Sequence, residues 1–104
     1  MQGLHLHDTM GLGLANALAG LEEGVRKFDS ALAGLGGCPF APGASGNIVT
    51  EDLVFLLESQ GFATGVDLAK LIAARAILAE GLPDEALHGQ VPRAGIPKTF
   101  RVAA

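Results

Sequence analysis

Apolar and polar residues alternate at the start of the chain, with Leu4 and Leu6 interleaved with His5 and His7. A period of two is that of a strand, so residues 3–7 are expected as a short strand with both histidines on one face. The period then lengthens. Asp8-Thr9 reads as an N-cap pair, and Leu12, Ala15, Leu18 and Ala19 recur at helical spacing. They predict a helix over about 11–23, ended by Gly24. Residues 25–33 read as a second strand, with Phe28 and Leu32 apolar and Asp29 and Ser30 polar. The interval between them suits a strand–helix–strand crossover, which in one sheet makes the strands parallel.

Regular periodicity stops at Gly34. From there to Asn47 the chain carries Gly34, Gly36, Gly37, Gly43 and Gly46, and its single cysteine, Cys38. Each glycine raises the entropy cost of ordering the loop and offers close approach or positive φ in return, so the loop is expected to be shaped around a ligand. Thr50 is the next expected N-cap, with Glu51 and Asp52 in the first turn where carboxylates favour the helix dipole. Leu53, Val54, Leu56 and Leu57 give that helix an apolar face, and Gly61 ends it. Asp67 caps a further helix, in which Leu68, Leu71, Ile72, Ala76 and Leu78 form the expected buried stripe; Gly81 and Pro83 end it. Beyond it the composition shifts to Pro, Gly and short polar residues. A turn is expected over 86–89, and prolines 92 and 97 argue against regular helix over 91–100.

The order is β-α-β-loop-α-α-tail. The expected organisation is a body of residues 1–81 and a tail of 82–104. Two parallel strands do not make a stable sheet alone, so the pattern reads as a piece of a larger parallel α/β structure. Its two exposed strand edges favour self-association, so a homo-oligomer is one expectation.

Composition narrows the function. A chain of 104 residues is one domain at most, with no internal repeat. A net charge of −4 with no Trp and no Tyr argues against a nucleic-acid surface. One cysteine makes no internal disulfide and fits a reducing compartment. No run of about 18 apolar residues is present, and the N-terminus lacks a signal-sequence pattern, so a soluble, cytoplasmic protein without a membrane partner is expected.

Several residues carry candidate chemistry. His5 and His7, about 6.6 Å apart along one strand face, can offer two imidazoles to one metal ion; a polar strand end is the plainer reading. Asp8 is either an N-cap or a carboxylate that orients a ligand histidine. Cys38, between Gly-Gly and Pro, is either a small buried apolar residue or an exposed working thiol that donates a proton. Asn47 caps the next helix or gives its amide oxygen to a metal. Arg26 and Lys27 read as solvated strand-end charges, Asp29 and Ser30 as pocket-lining or paired polar groups, and His88 has no evident role. The Gly11-x-Gly13 pattern is too weak for a nucleotide site.

Taken in order, these motifs match a family. His5-x-His7-Asp-Thr, Asp29-Ser-x-x-x-Gly-Leu-Gly-Gly-Cys-Pro39, Gly43-Ala-Ser-Gly-Asn47 and Thr50-Glu-Asp-Leu-Val54 resemble the C-terminal part of 3-hydroxy-3-methylglutaryl-CoA lyase. Phe62-Ala-Thr-Gly-Val-Asp-Leu68 and the tail around Arg93-Ala-Gly-Ile-Pro-Lys98 resemble later segments of the same family. The resemblance implies the last two β/α units of a TIM barrel, about two strands and three to four helices, with active-site loops at the C-terminal strand ends. It implies a divalent cation, Mg or Mn, held by His5, His7 and Asn47, with Cys38 and His5 as catalytic acid/base groups. The implied reaction is cleavage of 3-hydroxy-3-methylglutaryl-CoA to acetyl-CoA and acetoacetate. The implied partners are an acyl-CoA substrate and the N-terminal part of the barrel, whose first-strand Arg-Asp pair has no counterpart in this chain. Isopropylmalate synthase-like enzymes share the His-x-His and the loop Asn but lack Gly-Gly-Cys-Pro, so Cys38 argues against them.

Overall fold

The computed structural model describes residues 3–36 and 46–103. Two short parallel strands, β1 (Leu4–His5) and β2 (Phe28–Asp29), pair in the register Leu4↔Phe28 and His5↔Asp29. Helix α1 (Gly13–Glu22) connects them. A 3-10 turn, Leu32–Gly34, follows β2, and then come α2 (Thr50–Ser59), α3 (Leu68–Gly81) and α4 (Gln90–Ala94).

The parallel β-α-β start is the one the alternation predicted, but both strands are shorter than expected. The reason lies in residues 46–49, which run between the strand ends. The Ile48 N–H donates to the Leu6 carbonyl at 3.1 Å, and the Ile48 carbonyl accepts from the Ala31 N–H at 3.1 Å. An antiparallel bridge His7↔Asn47 and a parallel bridge Ala31↔Val49 flank it. The strands thus separate beyond their two paired positions, and the returning loop fills the opening.

Ile48 is also the centre of the core. It is buried with Ala17 and Leu53, and half-buried Leu6, Leu14, Phe28 and Leu57 pack around them. Removing a side chain of this size from water stabilises the fold by about 1.5–3 kcal/mol. Helix α1 meets it through Gly13, Ala17 and Leu21, its buried residues. A methyl on Gly13 would overlap the Ile48 side chain. This is not the face the spacing predicted: Leu12, Ala15 and Ala19 are exposed and Leu18 is half-buried. Asp8 does cap α1, from five residues away, by accepting the Gly13 N–H on Oδ1 at 2.9 Å.

Helix α2 departs most from expectation. Its N-cap is Val49, not Thr50, whose hydroxyl donates to Ser30 Oγ at 2.6 Å. Leu53 and Val54 face the core as predicted, but Glu51, Asp52 and Glu58 are buried too. Glu58 Oε2 accepts the Thr64 N–H and hydroxyl at 2.8 and 2.7 Å, and its Oε1 accepts the Ala103 N–H at 2.7 Å. These bonds, the Thr64 N–H foremost, then the Ala103 N–H and the Thr64 hydroxyl, hold the Glu58 carboxyl below the usual carboxylate range.

Asp67 caps α3 as predicted, accepting the Lys70 N–H at 3.1 Å. The predicted stripe is only partly covered: Leu68 is buried, Leu71, Ile72 and Leu78 are half-buried, and Ala76 is exposed, while Ile77 stands 74% exposed. The apolar residues of α3 lie around the helix instead of along one side, so a single packing partner cannot cover them. The tail contains a helix that its prolines seemed to exclude. Pro92 is the third residue of α4, in the first turn, where its missing N–H has no helical acceptor to lose. Phe100 stacks on Phe55 of α2 with ring centroids 5.3 Å apart. Arg26 is exposed, as expected, but it also donates to the Leu21 and Val25 carbonyls at 2.9 Å and lies over the Phe62 ring. No helix of the described residues is long and apolar enough to cross a membrane.

Candidate metal and acid/base site

The strand register sets two faces. Leu4 and Phe28 turn toward the helices, while their neighbours His5 and Asp29 are exposed. His7 lies two residues after His5, so both imidazoles stand on the side away from the core. Their ring centroids are 5.1 Å apart, edge to face. His5 Nδ1 lies 3.4 Å from Asp29 Oδ2, its partner in the strand register.

Asn47 comes to the same place from the returning segment, through its bridge to His7. Its backbone N–H and its side-chain Nδ2 both donate to the Leu35 carbonyl, at 3.2 and 3.1 Å. That pairing fixes the amide and turns Oδ1 the other way. Oδ1 is buried and accepts no hydrogen bond among the described residues. An unpaired buried acceptor costs about 1–3 kcal/mol, so a cation at this atom would recover what the fold gives up. Two imidazoles and an amide oxygen form a mixed donor set of the kind that holds a divalent cation. Among the described residues no group of three His, Cys, Asp or Glu side chains is arranged to hold a metal, and the third donor here is an amide.

The approach of this segment depends on Gly46. A methyl there would overlap the Gly34 carbonyl, and the backbone passes close to Leu35 as well. Asp8, next to His7 in sequence, has its Oδ1 engaged with the first N–H of α1. Cys38 falls among residues 37–45, outside the described residues.

A buried network, which the sequence did not disclose, supports the loop base. Ala33 holds a φ of +59°, unusual for a residue with a side chain. Both carboxylate oxygens of Glu51 accept its N–H, at 3.0 and 3.1 Å. Arg75 of α3 pairs with Glu51 and also donates to the His88 carbonyl at 2.6 Å. His88 therefore has a role in its backbone, whose N–H donates to the Ala33 carbonyl at 2.8 Å. Asp52 accepts the Gln90 and Val91 N–H groups at 2.9 and 2.8 Å and so fixes the start of α4. A cavity of about 700 Å³ opens between these elements, with Asn47 and Gly34 on one side and Arg75, His88, Gln90 and Arg93 among its other walls. The one hint in the sequence was the pair of acidic residues at the head of α2, opposite the basic Arg75.

Comparison with known proteins places this arrangement. The HMGL-like family model matches residues 1–78. The hydroxymethylglutaryl-CoA lyase of Pseudomonas mevalonii is 62% identical over 64 residues, covering 62% of this chain and 21% of that protein. The (R)-citramalyl-CoA lyase of Chloroflexus aurantiacus is 54% identical over 89 residues, covering 84% of this chain and 28% of that protein. Among solved structures, an HMG-CoA lyase from Acinetobacter baumannii, in complex with coenzyme A and 3-methylmalate, superposes with a TM-score of 0.84 at 49% identity. That match covers 98% of this chain and 33% of the other. The chain thus spans between a fifth and a third of the length of these proteins. Its two parallel strands and four helices correspond to part of a TIM barrel.

Proposed function

The chain belongs to the HMGL-like family, and on that premise we propose that it carries His5, His7, Asn47 and Cys38 to the active centre of a divalent-metal-dependent carbon–carbon lyase. The proposed reaction splits 3-hydroxy-3-methylglutaryl-CoA into acetyl-CoA and acetoacetate, with these residues set in a complete barrel. The observation that carries the reading is Asn47 Oδ1, buried, without a hydrogen-bond partner among the described residues, on a segment bridged to His7.

In this reading His5, His7 and Asn47 hold Mg or Mn. When bound, the cation acts as a Lewis acid on the substrate's tertiary hydroxyl and lowers its pKa. His5 would take the hydroxyl proton on its free ring nitrogen while His7 and Asn47 keep the cation. The carbon–carbon bond next to that carbon breaks, the new carbonyl becomes the ketone of acetoacetate, and the electron pair passes to the thioester enolate. The Cys38 thiol gives its proton to the enolate carbon, completing acetyl-CoA. A thiol suits this step because, near its ordinary pKa of about 8.5, it is still protonated at neutral pH. The Gly36-Gly37-Cys38-Pro39 segment supports this role through its place between Leu35, which anchors Asn47, and Gly46.

The extended match to (R)-citramalyl-CoA lyase favours a second acyl-CoA as the alternative substrate. Manganese titration followed by electron paramagnetic resonance tests the metal site directly. The chain should bind Mn2+, and His7→Ala or Asn47→Ala should weaken binding at least tenfold; a chain that binds none refutes the site. Both acyl-CoA thioesters should then be assayed on a complete barrel carrying this segment. Cys38→Ala should abolish cleavage, and undiminished turnover would remove Cys38 from the mechanism.

A further inference from the structure

The Asp29 carboxylate stands beside the His5 imidazole, across the two paired strands. We infer that Asp29 is the positioning residue for His5: its carboxylate holds the Nδ1–H and presents Nε2 to the cation or the substrate hydroxyl. This rests on the assignment of His5 to the site proposed above.

The geometry comes from the sheet itself. His5 and Asp29 are register partners on adjacent parallel strands, so their side chains leave the same face together. Asp29 Oδ2 lies 3.4 Å from Nδ1, the ring nitrogen nearer the backbone. A neutral imidazole has one N–H, and the acceptor beside Nδ1 decides where it sits. With the proton on Nδ1, the lone pair is on Nε2, farther from the backbone. Nε2 is then the working nitrogen whether His5 ligates or takes a proton. Carboxylates behind ligand histidines fix ring orientation and raise basicity, and their loss typically costs 10–100-fold in metal affinity.

The test reads the tautomer in the metal-free chain. Long-range 1H–15N correlation spectra of the 15N-histidine-labelled chain, at a pH of about 8.5 where imidazoles are neutral, report which nitrogen carries the proton. His5→Gln assigns the signal. Native His5 should show the Nδ1–H form. Asp29→Ala should shift it toward Nε2–H, Asp29→Glu should restore part of the native pattern, and far-UV circular dichroism should be unchanged, since the Asp29 side chain is 74% exposed. Mn2+ affinity should fall about 10–100-fold in Asp29→Ala and recover partly in Asp29→Glu. A native Nε2–H tautomer, or a tautomer indifferent to Asp29→Ala, overturns the inference. A chain that binds no Mn2+ yet shows the expected tautomer shift removes the metal assignment and leaves Asp29 in its place.

Discussion

Replacing Arg75 by methionine isolates the energetics of the buried pair under the loop base. Arg75→Met keeps most of the side chain's length and apolar stem but removes the guanidinium. Glu51, fully buried, then keeps only the Ala33 N–H for two carboxylate oxygens. Breaking a buried pair from one side typically costs about 3–5 kcal/mol, because the remaining charge is desolvated without compensation. Arg75 itself is 17% exposed, which allows some water to reach the gap and favours the lower half of that range. Neutralising the stranded partner should reverse most of the loss. Glu51→Gln in the same chain leaves an amide oxygen for the Ala33 N–H and no buried charge. The double variant should therefore be more stable than Arg75→Met alone by about 2 kcal/mol. Urea unfolding followed by circular dichroism measures both. With slopes of about 1–3 kcal/mol/M, a loss of 3 kcal/mol moves the midpoint by about 1–3 M at constant slope. A double variant no more stable than Arg75→Met would refute the reasoning, since Glu51 would not then be a stranded charge.

Three other outcomes follow from the same geometry. The Glu58 carboxyl is held below its ordinary range, so its contribution to stability is complete above the unfolded value of about 4.3 and is lost as pH falls through the lower folded value; Glu58→Gln should flatten that acid limb in urea midpoints taken across pH, and an unchanged limb counts against it. Gly46→Ala should cost about 1–3 kcal/mol or more, because the new methyl meets the Gly34 carbonyl backbone, which has little room to move; its Mn2+ titration should weaken in parallel, and a native-like variant would show that the close approach is not required. Asp52→Ala should free the Gln90 and Val91 N–H groups and cost about 1–2 kcal/mol, with faster hydrogen exchange at those two amides as the specific sign.

The features legible in the sequence were those written in local spacing. His5 and His7 share a face because a strand has a period of two, and they do so here. Gly24, Gly61 and Asp67 mark helix ends because their roles depend on neighbours within a few residues. The carboxylates of α2 were misread for the opposite reason. Two acidic residues at a helix start usually meet water and the helix dipole, yet Glu51 and Asp52 meet Ala33, Arg75 and α4. Those partners lie 18, 24 and 38 residues away, beyond any local pattern. The strand lengths were overestimated because alternation cannot report that Ile48 enters between the strand ends. Pro92 was read as a breaker because the start of α4 is fixed by Asp52, 38 residues before Gln90, which local spacing does not show. Asp29, 24 residues from His5 in sequence, comes beside it only through the parallel pairing, which local spacing does not show.

The three buried carboxylates of α2 also imply an order of assembly. Through them one ten-residue helix holds the turn at Ala33, the loop at Thr64, helix α3, helix α4 and the chain near Ala103. None of these five anchor points has a docking partner on α2 until the helix exists, and the farthest contact closes a span of 45 residues. Loop-closure entropy grows with that span, so the short-range contact at Thr64 can form early and the one at Ala103 last. The Ala103 N–H then acts as a report on everything before it: its hydrogen exchange should be slowed only while α2 holds Glu58 in place.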